Sequence, residues 1–167
     1  KEFKSYITSP IAYIYIITFL LFMNWYFFRS FFVVGQATLR TFFDLAPWVL
    51  LFLVPAISMR SWSEEKKSGT LDFLLTFPIQ DYELVIGKFL ASLLLLTLTI
   101  LGTFPLVILV TIVGSPDIGP IITGYIGTIL LGASYLAIGF FVSSLTRNQI
   151  IAFIISIAIC FFSYLLS

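Results

Sequence analysis

The chain is a succession of long apolar runs separated by short polar breaks, and one of those breaks is unlike the others. A helix needs about 20 mostly apolar residues to cross a hydrocarbon core of roughly 30 Å. Five segments come close to that length: residues 11–28, 45–59, 89–113, 120–145 and 150–166. The second is short when counted from Leu45, but the preceding TLRTFFD can extend it as an amphipathic lead-in. The pattern predicts an all-α fold, a polytopic membrane helix bundle with five transmembrane helices in the sequence. Between the second and third spans lies RSWSEEKKSGTLDFLLTFPIQDYELVIGK, residues 60–88, which holds nine of the seventeen charged residues.

That connector carries local helix signals. Ser68 is a residue type that caps a helix start, and Leu71, Leu74 and Leu75 would then form one apolar face of a helix over residues 68–77, with Pro78 ending it. Asp81 is placed to cap a second helix that begins at Tyr82 and runs without a break through Lys88 into the third span. An apolar face of this kind lies on a membrane surface or fills a groove in another protein. Glu64, Glu65, Lys66, Lys67 and Asp72 would stay solvated or pair with partner charges. The plainer alternative is a solvated loop whose charges keep it out of the bilayer.

Basic residues orient the chain. With the N-terminus in the cytoplasm, Lys1, Lys4, Arg60, Lys66, Lys67, Lys88 and Arg147 fall inside and only Arg29 and Arg40 outside, seven against two. The positive-inside rule therefore favours a cytoplasmic N-terminus and connector. Trp25 and Tyr26 near one face, and Trp62 near the other, fit interfacial anchors. Arg40 and Asp44, at the outer end of the second span, read the same way. In KEFKSYITSP, Phe3, Tyr6 and Ile7 recur at helical spacing, so residues 1–9 suit a short helix lying in the interface before Pro10.

Composition confirms the class and removes most chemistry. At 60% hydrophobic and 10% charged residues, the chain has too little polar surface to cover a soluble globule of its size. The absence of histidine excludes bis-histidine haem, His-ligated zinc and Ser-His or Cys-His catalysis within this chain. The single cysteine, Cys160, excludes an intrachain disulfide and reads as a small buried apolar side chain. The spans contain no Asp, Glu, Lys or Arg at their cores, and Asn24 is their one carboxamide, which disfavours an ion-coupled carrier. No catalytic residue, cofactor site, metal site or nucleic-acid partner is expected.

The fourth span differs from the others. Gly124, Thr128 and Gly132 repeat every four residues, with Ala133 and Ala137 on an adjoining line, which makes a narrow face that another helix can approach closely. A substrate-facing role for these glycines is the alternative. Pro47 and Pro105 are expected to kink or begin their helices, and Pro55 to bend the second span before it leaves the membrane.

The run FFDLAPWVLLFLVPAISMRSWSEEKKSGTLDFLLTFPIQDYELVIGKFLASL resembles the permease subunits of ABC-2 type transporters, and most of all the bacterial branch associated with gliding motility. EFKSYITSPIAYIYI is similar to the opening of the same group. The specific part is the order of an acidic pair, a basic pair, Ser-Gly-Thr, an apolar helix, proline, an acidic turn and Gly-Lys. The resemblance covers nearly the whole chain and implies one transmembrane domain over residues 1–167. Residues 1–9 would be an elbow helix and residues 68–77 a coupling helix or its core, with Glu64, Glu65, Gly69 and Thr70 at the family's acidic and Gly-Thr positions. Such permeases usually have six spans, so this sequence is expected to lack the last.

The resemblance also implies a mechanism. A cytoplasmic ABC ATP-binding subunit would bind ATP and magnesium, since this chain has no GxxxxGK[ST] loop of its own. Two permease subunits, alike or different, would pair among membrane lipids in a bacterial plasma membrane and export a substrate or do mechanical work. A non-transporting scaffold that recruits a cytoplasmic protein through the same connector is the second reading.

Overall fold

A computed structural model describes residues 10–35, 38–69 and 81–166; the side chains of Ile11, Val34, Arg60, Ser61, residues 63–68 and Asp81 lie outside the description. The described residues form helices α1 (Pro10–Val34), α2 (Arg40–Ser68), α3 (Asp81–Leu101), α4 (Phe104–Val113), α5 (Ile118–Leu145) and α6 (Gln149–Leu166). Among them there is no strand. Five spans are long and apolar enough to cross a membrane, with α3 and α4 together forming the third. The protein is thus an all-helical, multi-pass membrane protein.

The spans are not equivalent. Half of the α2 span is buried, against 17% of the α1 and α6 spans, and α2 packs most extensively against α5 and next against α6. The bundle is therefore built around α2. On α1, Ala12, Tyr15, Phe19, Met23 and Phe27 face the core at three- and four-residue spacing, while Ile14, Ile17, Leu21 and Trp25 remain exposed. Exposed apolar faces of this kind suit lipid, which solvates them as well as a protein core does.

Helix α2 agrees with one expectation and corrects another. The lead-in before Leu45 does extend the second span, the helix starting at Arg40. At the other end the helix does not stop where the membrane should, but continues through residues 60–68. Ser68 is its last residue rather than the cap of a new helix, and Gly69 closes it in the left-handed conformation (φ 72°). Glycine adopts that conformation without the steric cost a side chain incurs. Lys66 and Lys67 accordingly fall in a last helical turn, where positive charge is favoured by the carbonyl ends.

The helix expected from Tyr82 through Lys88 into the third span runs unbroken, beginning one residue earlier at Asp81 and ending at Leu101. A second helix takes over at Phe104, where Pro105 was expected to kink or begin one. Thr103 N–H turns to the Ile100 carbonyl at 3.1 Å, a tighter three-residue bond, and Pro105 sits in the first turn of α4. Proline has no N–H to give and suits a helix start. By contrast, Pro47 and Pro55 are both interior to α2. Asn24, the intramembrane carboxamide, donates to the Leu20 carbonyl of its own helix at 2.7 Å.

Candidate functional site

The connector's two ends converge on α5. Where α2 leaves the span, the Ser143 hydroxyl of α5 donates to the Met59 carbonyl at 3.1 Å. The same oxygen accepts the Trp62 N–H at 3.2 Å. A hydroxyl can do both at once, so one buried serine ties α5 to the backbone of α2 at two adjacent turns. The Trp62 ring in turn lies 4.9 Å from Lys88 Nζ of α3, within the range of a cation–π interaction. One residue further along α3, Phe89 meets Phe140 of α5 edge to face at 5.9 Å.

Lys88, one of the basic residues counted on the cytoplasmic side, lies inside the bundle. It is 3% exposed. A lysine buried at this depth needs compensation for lost hydration, and the Trp62 face supplies part of it. The sequence shows Trp62 and Lys88 as separate interfacial residues 26 positions apart; only the return of α3 beside α2 brings them together.

The close approach of α5 to α2 rests on glycines. A Cβ on Gly139 would stand 2.7 Å from Ser58 Cβ, and Ser58 itself is held by a 3.2 Å bond from its hydroxyl to the Pro55 carbonyl. Gly139 escaped the sequence reading because it lies seven residues beyond Gly132, off the four-residue repeat. Within that repeat, a Cβ on Gly124 would come 2.6 Å from Phe43 Cε2 of α2, whereas Gly132 abuts Leu96 Cδ2 of α3. The stripe therefore serves two neighbours rather than one. Thr128 is buried and bonds the Gly124 carbonyl of its own helix at 2.7 Å. Ala137, on the adjoining line, is exposed.

Toward the opposite face, Thr103 at the α3–α4 break donates to the Ile100 carbonyl at 2.6 Å. Its single hydroxyl proton being used there, Tyr125 of α5 is the donor in the 2.8 Å contact between Tyr125 OH and Thr103 Oγ1. Phe42 and Phe43 of α2 pack against the Tyr125 ring at 6.2 and 5.4 Å. The break in the third span is thus pinned to the same two helices that meet the connector.

Of the connector residues singled out from sequence, Glu64, Glu65 and Ser68 are on the α2 extension and Asp81 opens α3, with side chains outside the description. Gly69 closes α2. Thr70, Leu71, Leu74 and Leu75 lie outside the described residues, as do residues 1–9. Among the described residues, no group of three or more Cys, Asp or Glu side chains is placed to hold a metal ion. This end of the molecule is a mechanical junction: the α2 extension is attached to α3 through Trp62 and Lys88 and to α5 through Ser143.

Comparison with known proteins agrees with a transport role for such a bundle. The family model described as "ABC-2 family transporter protein" matches residues 1–167. No curated protein and no solved structure matches the chain.

Proposed function

Because the chain belongs to the ABC-2 transporter family, whose model spans it from end to end, we propose that it is the permease subunit of an ATP-driven exporter, worked from the connector. A separate ATP-binding subunit holds ATP and magnesium and docks on residues 60–88 from the cytoplasm. The permease works as a pair of subunits in a bacterial plasma membrane, with its N-terminus cytoplasmic as the seven-to-two distribution of basic residues favours. The gliding-motility branch, in which a complex does mechanical work on surface machinery, is the finer assignment that the connector sequence supports.

The observation that carries the reading is the convergence of both connector ends on α5, the first through Trp62 and Ser143 and the second through Phe89 and Phe140, with Lys88 over Trp62 joining the two ends. A loop that only kept charges out of the bilayer needs no such attachment. Movement of packed helices as rigid bodies is the transition this arrangement suits.

The test replaces Leu71, Leu74 and Leu75 together with Asp in the chain co-expressed with its neighbouring ATP-binding subunit. Membrane insertion should persist while stoichiometric association, or ATPase activity dependent on the permease, is lost. Unchanged coupling in this variant overturns the assignment. Binding that is indifferent to nucleotide, with no permease-dependent ATPase activity, would instead favour the scaffold.

A further inference from the structure

At the membrane face opposite the connector, the starts of α2 and α5 enclose a cleft of about 620 Å³. That is within the size range of small-molecule sites, roughly 300–1,000 Å³. Its walls combine three charged side chains, Arg40, Asp44 and Asp117, with the apolar surfaces of Phe43, Pro120 and Ile121. The walls come from the starts of the two helices with the most extensive mutual contact and from the residues that lead into them, Thr38, Leu39, Pro116 and Asp117. Phe43 is seated edge to face on Tyr125 and directly over Gly124, where a Cβ would come within 2.6 Å. The cleft is therefore preformed rather than a gap between loose loops.

Helix stability does not explain its charges. Arg40 opens α2, where the exposed N–H groups disfavour positive charge. Asp117 occupies the cap position of α5, yet its carboxylate makes no capping bond. Arg40 and Asp44 are one turn apart with the cation first, the weaker order for a helical pair, and no ion pair joins the three side chains among the described residues. All three are exposed to the cleft's solvent. One guanidinium fork, which matches a phosphate, thus stands beside two carboxylates that can accept charge-assisted hydrogen bonds from an ammonium group. Two of the candidate spans begin at Arg40 and Ile118, so the cleft lies at span ends, where a helix passes from hydrocarbon to the headgroup region.

We propose that this cleft binds the headgroup of an aminophospholipid, with the phosphate on Arg40, the primary ammonium on Asp44 and Asp117, and the glycerol region against Phe43 and Ile121. A quaternary ammonium has no N–H to donate to the carboxylates. An anionic glycerol headgroup presents nothing cationic to them. The site therefore selects phosphatidylethanolamine over phosphatidylcholine and phosphatidylglycerol. This follows from the membrane-spanning fold alone and holds whether or not the connector meets an ATPase.

The experiment uses the full chain in detergent micelles, with thermal melting and native mass spectrometry after addition of each lipid. Phosphatidylethanolamine should raise the melting midpoint and be retained as a bound adduct, with the other two lipids at least about tenfold weaker, the scale of one charge-assisted hydrogen bond. Asp44→Asn with Asp117→Asn should abolish that selectivity, whereas Arg40→Gln should weaken all three lipids together, and both variants should melt like the unaltered chain in detergent alone. Equal responses of the unaltered chain to all three lipids overturn the proposal, as does selectivity that survives in the aspartate variant. Glycerophosphoethanolamine binding as tightly as the diacyl lipid would also overturn it, by making the ligand a water-borne headgroup.

Discussion

Lys88 Nζ sits 4.9 Å from the centroid of the Trp62 ring, joining the first residues of the third span to the last turns of the second across the whole length of the connector. Both ends of the charged segment are thereby fixed to each other as well as to α5. Any force on the intervening residues has two attachments through which to enter the bundle, and these attachments share one tryptophan.

The pair can be measured. Lys88→Met keeps the aliphatic stem and removes the charge, and Trp62→Leu removes the ring. Each should lower the unfolding free energy in micelles, and the double variant should lose less than the two together by about 0.5–2 kcal/mol, the range of a partly desolvated cation–π contact. Additive losses would mean that the two side chains are neighbours without being partners. In the assembled transporter, both single variants should remain inserted while ATPase activity is uncoupled from the permease.

Ser143 is the second attachment. Ser143→Ala deprives the Trp62 N–H and the Met59 carbonyl of a shared interhelical partner, and a cost of about 0.6 kcal/mol and at most about 1.7 is expected, the scale of interhelical bonds in membranes. Hydrogen exchange at the Trp62 amide should accelerate, with little change at amides of α6. Equal protection in both proteins would remove Ser143 from the linkage.

The α5 glycines should rank by what a methyl group would strike. Gly139→Ala meets Ser58 Cβ, next to the α2 backbone, and is expected to be the most damaging at about 1–3 kcal/mol. Gly124→Ala meets the edge of the Phe43 ring and should be intermediate, and Gly132→Ala meets only the flexible tip of Leu96 and should be mildest. Ser58→Gly should partly rescue Gly139→Ala. Thermal melting of the single and double variants reads the order directly.

Two buried tyrosines of the same helix should respond with opposite signs. Tyr125→Phe removes the donor to Thr103 at the break in the third span, costing about 0.6 kcal/mol and at most about 1.7, as for other interhelical bonds in membranes. Tyr135 is also buried, but its hydroxyl has no hydrogen-bond partner. Tyr135→Phe should therefore leave stability unchanged or raise it by about 1 kcal/mol. A loss at Tyr135 equal to that at Tyr125 would contradict the bonding described.

Much of the candidate site was legible in part. Trp62 was readable as an interfacial residue and Gly124, Thr128 and Gly132 as a close-packing face. The burial of Lys88 was not legible, because it depends on a ring supplied by another helix. The local signals around Ser68 were ambiguous for a different reason. Lys66, Lys67 and Gly69 are C-terminal helix signals, whereas Ser68 is an N-terminal one, and the two sets overlap. The structure follows the first set.

The amino-acid sequence by itself determined that this is a multi-span helical membrane protein: run length and charge exclusion are properties of each segment alone, because every backbone group in a bilayer must be satisfied within its own helix. It also determined that the charges concentrate between the second and third spans. Which helix lies at the centre was decided only by tertiary structure. Lipid and protein interior are alike to an apolar side chain, so hydropathy could not separate the buried α2 from the peripheral α1 and α6. Contact between helices made that choice, through glycines that let α5 approach α2, through Ser143 bridging two turns, and through the return of α3 that sets Lys88 over Trp62.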